Sequence, residues 1–116
     1  MITNSGLNLL RDTLYDQITH IAVGSSDAPL DNPIQLGAEI FRVQLTGREK
    51  TATGILDTVT SLLDIDGSMA IREIGVVANG TDSPNTGTLI SRVLWKRDKT
   101  ALETIQISRT DTIGRG

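Results

Sequence analysis

From Glu39 onward, Phe41, Val43 and Leu45 alternate with Arg42, Gln44 and Thr46. A period of two marks a strand with one face in a core and one in water, and a helix would scatter these side chains around its circumference. The stretch "EIFRVQLTGREKT", residues 39 to 51, is therefore read as the clearest strand in the chain. It commits the remaining sequence to supplying sheet partners, because a lone strand or hairpin is marginal in water.

Partners are legible on both sides. "ITHIAVGS" (18 to 25) places Thr19, Ile21 and Val23 on one face and Ile18, His20 and Ala22 on the other. "GILDTVTSLLDIDG" (54 to 67) alternates less cleanly, with Ile55, Val59 and Leu63 opposite Leu56 and Leu62, and ends at an Asp66-Gly67 turn. "AIREIGVVANG" (70 to 80), "TLISRVLWK" (88 to 96) and "ALETIQISRT" (101 to 110) follow, the last two expected to pair as a hairpin around "RDKT". "SSDAPLDNPIQLG" (25 to 37) and "NGTDSPNTG" (79 to 87) are dense in turn formers and read as loops.

Ahead of the first strand, Leu7, Leu10 and Leu14 recur at helical spacing behind the N-cap candidates Thr3, Asn4 and Ser5, which predicts a helix over about residues 4 to 15. Its single apolar stripe calls for a flat surface to pack against. The expected fold is mainly β, of α+β type: an antiparallel β-sandwich or curled sheet with one N-terminal helix packed on it. The length, 116 residues, suits one domain over 1–116, with "DTIGRG" (111 to 116) extending from it as a flexible or docking tail.

The inventory of reactive groups is thin. There is no cysteine, hence no disulfide framework or thiolate metal site. The net charge of −3 argues against a nucleic-acid partner, and "WKRDK" (95 to 99), the one basic cluster, reads as a solvated strand end and turn. Apolar runs are too short to span a membrane, and a basic region followed by an apolar export signal is missing from the N-terminus. His20 is the only histidine and has no acid or nucleophile near it in sequence, so it reads as a strand histidine. "VGSS" lacks the glycines of a nucleophile elbow. "DIDGS" (64 to 68) has its glycine too early for a calcium loop, and Gly75 stands where that loop needs glutamate. "NGT" (79 to 81) matches a glycosylation acceptor but reads as a turn. No enzyme, cofactor or metal is expected. A carbohydrate-binding module would want stacking rings, and with Phe41 facing inward and Tyr15 ending the helix only Trp95 is left over, as a core lid or interface anchor.

One motif stands apart. In "IREIG", residues Ile71, Arg72, Glu73, Ile74 and Gly75, alternation sends Arg72 to the face of Ala70, Ile74 and Val76, and Glu73 to that of Ile71, Gly75 and Val77. At least one charge therefore lies on an apolar face and, in a central strand, must be paired. Arg42, Arg92 and Arg109 are the candidate partners of Glu73; the other reading is a strand end at which the Arg72 stem covers apolar neighbours. Gly75 suggests a bulge or a close backbone approach.

The segments "ITNSGLNLL", "ITHIAVGSS", "LGAEIFRVQLT", "IREIGVV", "GTLISRVLW" and "ETIQISRT", in this order, resemble the N-terminal domain of phage tail-collar-fibre-like proteins over residues 2 to 110. "ITHIAVG" and "IREIGV" are the most specific pieces. The resemblance implies a non-enzymatic virion component, made in the host bacterial cytoplasm, that joins fibre or baseplate parts to the tail and forms homo-oligomers. Structural matches alone carry over: Ile18, His20, Ala22, Val23 and Gly24, and Ile71 through Gly75. Fibre proteins continue into long shafts, so a chain ending at Gly116 is expected to be a short adaptor or collar subunit. A capsid decoration protein or a small receptor-binding module are the alternatives. The candidate interface residues are Trp95 and the tail Asp111, Thr112, Ile113, Gly114, Arg115 and Gly116, together with the two loops.

Overall fold

Thr3 starts the helix α1 (Asn4–Gln17): its Oγ1 accepts the Gly6 N–H at 3.1 Å, satisfying one of the amide groups a helix start leaves unpaired. The computed structural model describes residues 1–113. α1 runs directly into β1 (Ile18–Gly24), followed by β2 (Glu39–Gln44), β3 (Gly47–Ala52), β4 (Ile55–Leu62), β5 (Met69–Ala78), β6 (Thr88–Lys99) and β7 (Ile105–Thr112). All pairings are antiparallel, in one sheet of order β2-β1-β5-β6 and a second of order β3-β4-β7. The fold is therefore mainly β with one N-terminal helix, as the alternation predicts.

The core lies between the sheets. Ile18, Ile21 and Val23 of β1 and Ile71, Ile74 and Val76 of β5 meet Leu56 and Leu62 of β4 and Ile105 and Ile107 of β7. Each such buried aliphatic contributes about 1.5–3 kcal/mol, so this cluster dominates the drive to collapse. Two irregularities move residues between faces. The β1–β5 register shifts between Ile18 and His20, and the β5–β6 register between Ile71 and Glu73, so Ile18 and Ile71 join the central core against simple alternation.

The helix sits on β3 and β4 with Leu7 buried, Leu14 and Tyr15 against the core, and Arg11 Nη1 donating to Ala52 O at 2.9 Å. Leu10, expected on that stripe, is 45 % exposed. The docking face follows residues 7, 11, 14 and 15, rotated away from Leu10, because Leu7 approaches the side-chain-free backbone of Gly54 (φ 68°) in the β3–β4 turn. Arg48 and Lys50 of β3 hold their charges 4.7 and 4.5 Å from the Tyr15 ring centroid.

Three sequence expectations need correction. The stretch 39 to 51 is two strands: β2 belongs to one sheet and β3 to the other, with Leu45 and Thr46 crossing between them. β3 begins at Gly47, opposite Val59, where a Cβ would come within 2.9 Å of Val59 Cγ1. β6 and β7 do not form a hairpin. β6 stays paired with β5 as far as Lys99 opposite Met69 and β7 pairs with β4 over its whole length, so the 100–104 connection carries the chain from one sheet to the other, and apolar residues of both strands meet between the sheets. Asp111 and Thr112 do not extend away: they finish β7 opposite Leu56 and Ile55, and the Ile113 N–H donates to Gly54 O at 2.8 Å. Gly114, Arg115 and Gly116 lie outside the described residues.

Candidate functional site

The outer face of the β2-β1-β5-β6 sheet carries buried charges under two loops. Glu73, in the middle of β5, is fully buried, and its Oε1 accepts from Arg92 Nε at 2.8 Å and from the Gly37 N–H at 2.8 Å. Its Oε2 accepts the Ala38 N–H at 2.8 Å and the Ser26 N–H at 3.2 Å. Arg92 Nη2 continues outward to Ala28 O at 2.9 Å and Ser26 O at 3.4 Å. One ion pair thus grips both ends of the loop between β1 and β2. Of the three arginines open to Glu73 by sequence, Arg92 is the partner. Arg42 is engaged elsewhere, and Arg109 lies on β7 in the other sheet.

The space for this carboxylate comes from glycine. Gly24 stands opposite Glu73 in the β1–β5 register, and a Cβ there would overlap the Glu73 carboxylate and lie 2.7 Å from Ala38 O. Gly75, two residues on, is covered by Leu36 and Leu89, whose methyls would lie 2.9 and 2.7 Å from a Cβ. It serves close approach, and the register shifts fall to either side of it. Burial alone pushes the Glu73 carboxyl up; Arg92 and the N–H groups of Ala38, Gly37 and Ser26 together outweigh it and hold the pKa below the ordinary glutamate value. Arg72 is half-buried and donates through Nη1 to Ile71 O at 2.7 Å and Asp98 Oδ1 at 2.8 Å.

The second loop is held the same way. Arg42, expected on a solvated face, is buried against Glu39, donating from Nε at 2.9 Å and from Nη2 at 2.8 Å. Its Nη1 donates to Thr81 O at 2.9 Å, Thr86 O at 3.1 Å and Thr86 Oγ1 at 3.0 Å. The loop covering this face is what removes Arg42 from water. His20 is also buried, with Nε2 2.9 Å from Asp82 Oδ1 and Nδ1 2.7 Å from Thr19 Oγ1. The Asp82 carboxyl is held below its ordinary pKa, chiefly by that hydrogen bond. Carboxylate, imidazole and hydroxyl follow one another here. The Thr19 hydroxyl, however, also meets the Gly80 N–H at 3.0 Å and Val77 O at 3.4 Å, so its contacts serve the loop end. An open, mainly polar cleft of about 500 Å3 beside it is lined by Asp16, Gln44, Thr46 and Arg48.

Sequence reasoning missed Glu39, Asp82 and Thr86, and took Gly24 only as a structural match without its place opposite Glu73, because each acts on a residue brought near by a loop or neighbouring strand and leaves no local pattern. Trp95 lies half-buried on β6, packed against the core between the sheets. Among the described residues, no group of three or more His, Asp or Glu is arranged to hold a metal ion, and no helix is long and apolar enough to cross a membrane. Compared with known proteins, the chain matches no family model and no curated sequence.

Proposed function

We propose that this chain is a non-enzymatic structural subunit of a tailed-phage virion, a tail, baseplate or fibre-associated adaptor that works through contacts with copies of itself and with other virion proteins. One observation carries the reading. The two segments that most specifically resemble the tail-collar-fibre-like family, "ITHIAVG" and "IREIG", are neighbouring strands β1 and β5, and they meet at Gly24 and Glu73. Their charged and glycine positions are spent on fixing a long loop whose Leu30 and Ile34 stand exposed, Ile34 at 87 %. Rigid loops presenting isolated aliphatic side chains suit protein contact, since little entropy is lost on docking. Quantitative mass spectrometry of purified particles, with immunogold labelling, tests it: the expected result is a fixed copy number with label at the tail. Absence from particles would overturn it, and label on the head would favour a capsid decoration role.

A further inference from the structure

Each sheet has two edges, and three of the four are guarded. β2 is short and turns at once into β3, and Gln44 O on its outer side accepts from Thr60 Oγ1 at 2.8 Å. β3 lies along α1, with Arg11 Nη1 on Ala52 O, and carries Arg48, Glu49 and Lys50 exposed. β6 has an extra residue at each of its two register shifts against β5 and ends in a run of charges. Its Lys99, expected in a solvated turn, is buried and donates from Nζ to Gly67 O at 2.7 Å and Thr100 O at 3.0 Å. Shortness, charge, cover and bulges are the ordinary means of stopping a sheet from growing.

β7 is the open edge. It pairs with β4 from Ile105 to Thr112 without a register shift and contains no Lys, Pro or Gly. The ladder continues where the Ile113 N–H donates to Gly54 O, so odd-numbered residues turn N–H and C=O toward β4, and Gln106, Ser108, Thr110 and Thr112 turn theirs outward. Among the described residues nothing takes up these outward groups, and the four side chains are exposed. Both charges of β7 are half-buried on its inward face. Arg109 Nη2 and Asp111 Oδ1 are 3.7 Å apart, beyond hydrogen-bond reach, and Arg109 Nε and Asp111 Oδ2 are each buried with no hydrogen-bond partner among the described residues.

We propose that β7 pairs antiparallel with β7 of a second copy about a two-fold axis at Thr110, joining the two smaller sheets into one of order β3-β4-β7-β7-β4-β3. The outward groups then meet their own kind: Thr110 exchanges N–H and C=O with Thr110 of the second copy, and Ser108 with Thr112. This register sets Arg109 directly opposite Asp111 of the second copy, twice over, at the close non-hydrogen-bonded positions of the ladder, where opposite charges are favourable. A centre on Arg109 or on Asp111 would oppose like charges, and one on Ser108 would set Arg109 against Ile107. Charges facing inward on an edge normally discourage pairing; here their order is complementary to itself reversed, and the unpaired Arg109 Nε and Asp111 Oδ2 are the atoms the second copy can reach. The contact is isologous and closes as a dimer. It deepens the reading of the chain as a self-associating subunit and rests on that part of it. Absence from particles would remove the virion role and leave this contact; a monomeric chain would remove this contact and leave contacts with other virion proteins.

Thr110→Pro removes one outward N–H and leaves the bonds to β4 in place. In sedimentation velocity over a concentration series the wild-type chain should run as a dimer that dissociates on dilution, and Thr110→Pro as a monomer with the wild-type circular dichroism spectrum. Should that variant fail to fold, single cysteines carry the test, since the chain has none of its own. Residues paired across the axis have Cα atoms about 5.5 Å apart, within disulfide range, so Thr110→Cys should cross-link to a dimer on mild oxidation at least about tenfold faster than Gln106→Cys, which is also exposed on β7. A wild-type chain that stays monomeric, a folded Thr110→Pro that dimerises like wild type, or cross-linking at 106 as fast as at 110 would each overturn the contact.

Discussion

Glu73 of β5 and Gly24 of β1 stand opposite each other, and the carboxylate of the first occupies the space that a side chain on the second would fill. That relationship explains why a charged residue can sit at zero exposure in a central strand. The missing Cβ admits the carboxylate, and Arg92 with three loop N–H groups satisfies it.

Gly24→Ala is therefore expected to destabilise the fold by about 1–3 kcal/mol, because the added methyl must displace either the Glu73 carboxylate or the Ala38 carbonyl. Urea denaturation measures it. Gly67→Ala is the control with the opposite origin: Gly67 has open space around its Cβ position, so any cost there arises from its φ of 86° and leaves the clamp intact.

Removing one half of a buried pair strands the other. Glu73→Ala or Arg92→Ala should each cost about 3–5 kcal/mol, whereas replacing both with apolar residues of similar size should cost less than the two singles added. A double-mutant cycle by chemical denaturation reads the coupling. Additive losses would mean that the two groups do not act as a unit.

The lowered pKa of Glu73 fixes a sign for pH dependence. A carboxyl whose folded pKa lies below its unfolded value, about 4.3, stabilises fully above that value and loses its contribution as pH falls through the folded pKa. In this window the unfolded chain binds more protons, so stability rises with pH. Thermal unfolding from neutral pH downward should show the wild type losing stability below about pH 4.3, with a shallower acid-side slope in Glu73→Gln.

How much of this was legible in sequence follows from range. Period-two alternation identified the strands, the cap candidates Thr3, Asn4 and Ser5 the neighbourhood of the helix start, and the charge on an apolar face a partner for Glu73 as one of two readings of the Arg72–Glu73 pair. The sheet switch at Leu45–Gly47 was invisible because alternation runs on unbroken through a strand that changes sheets. The faces of Ile18 and Ile71 were misjudged because a register shift leaves no mark in composition. Arg42 looked solvated because nothing local says that a loop beginning at Asn79 will lie over it.

The structural role of the Glu73 clamp is tested most directly by amide hydrogen exchange at Ser26, Gly37 and Ala38, comparing the wild-type chain with Glu73→Gln under conditions in which both are folded. Protection at these three amides should fall by at least about tenfold in the variant while the β4 amides that pair with β7 stay as in wild type. Unchanged protection at Gly37 and Ala38 would contradict the assignment of Glu73 as the group that orders the loop.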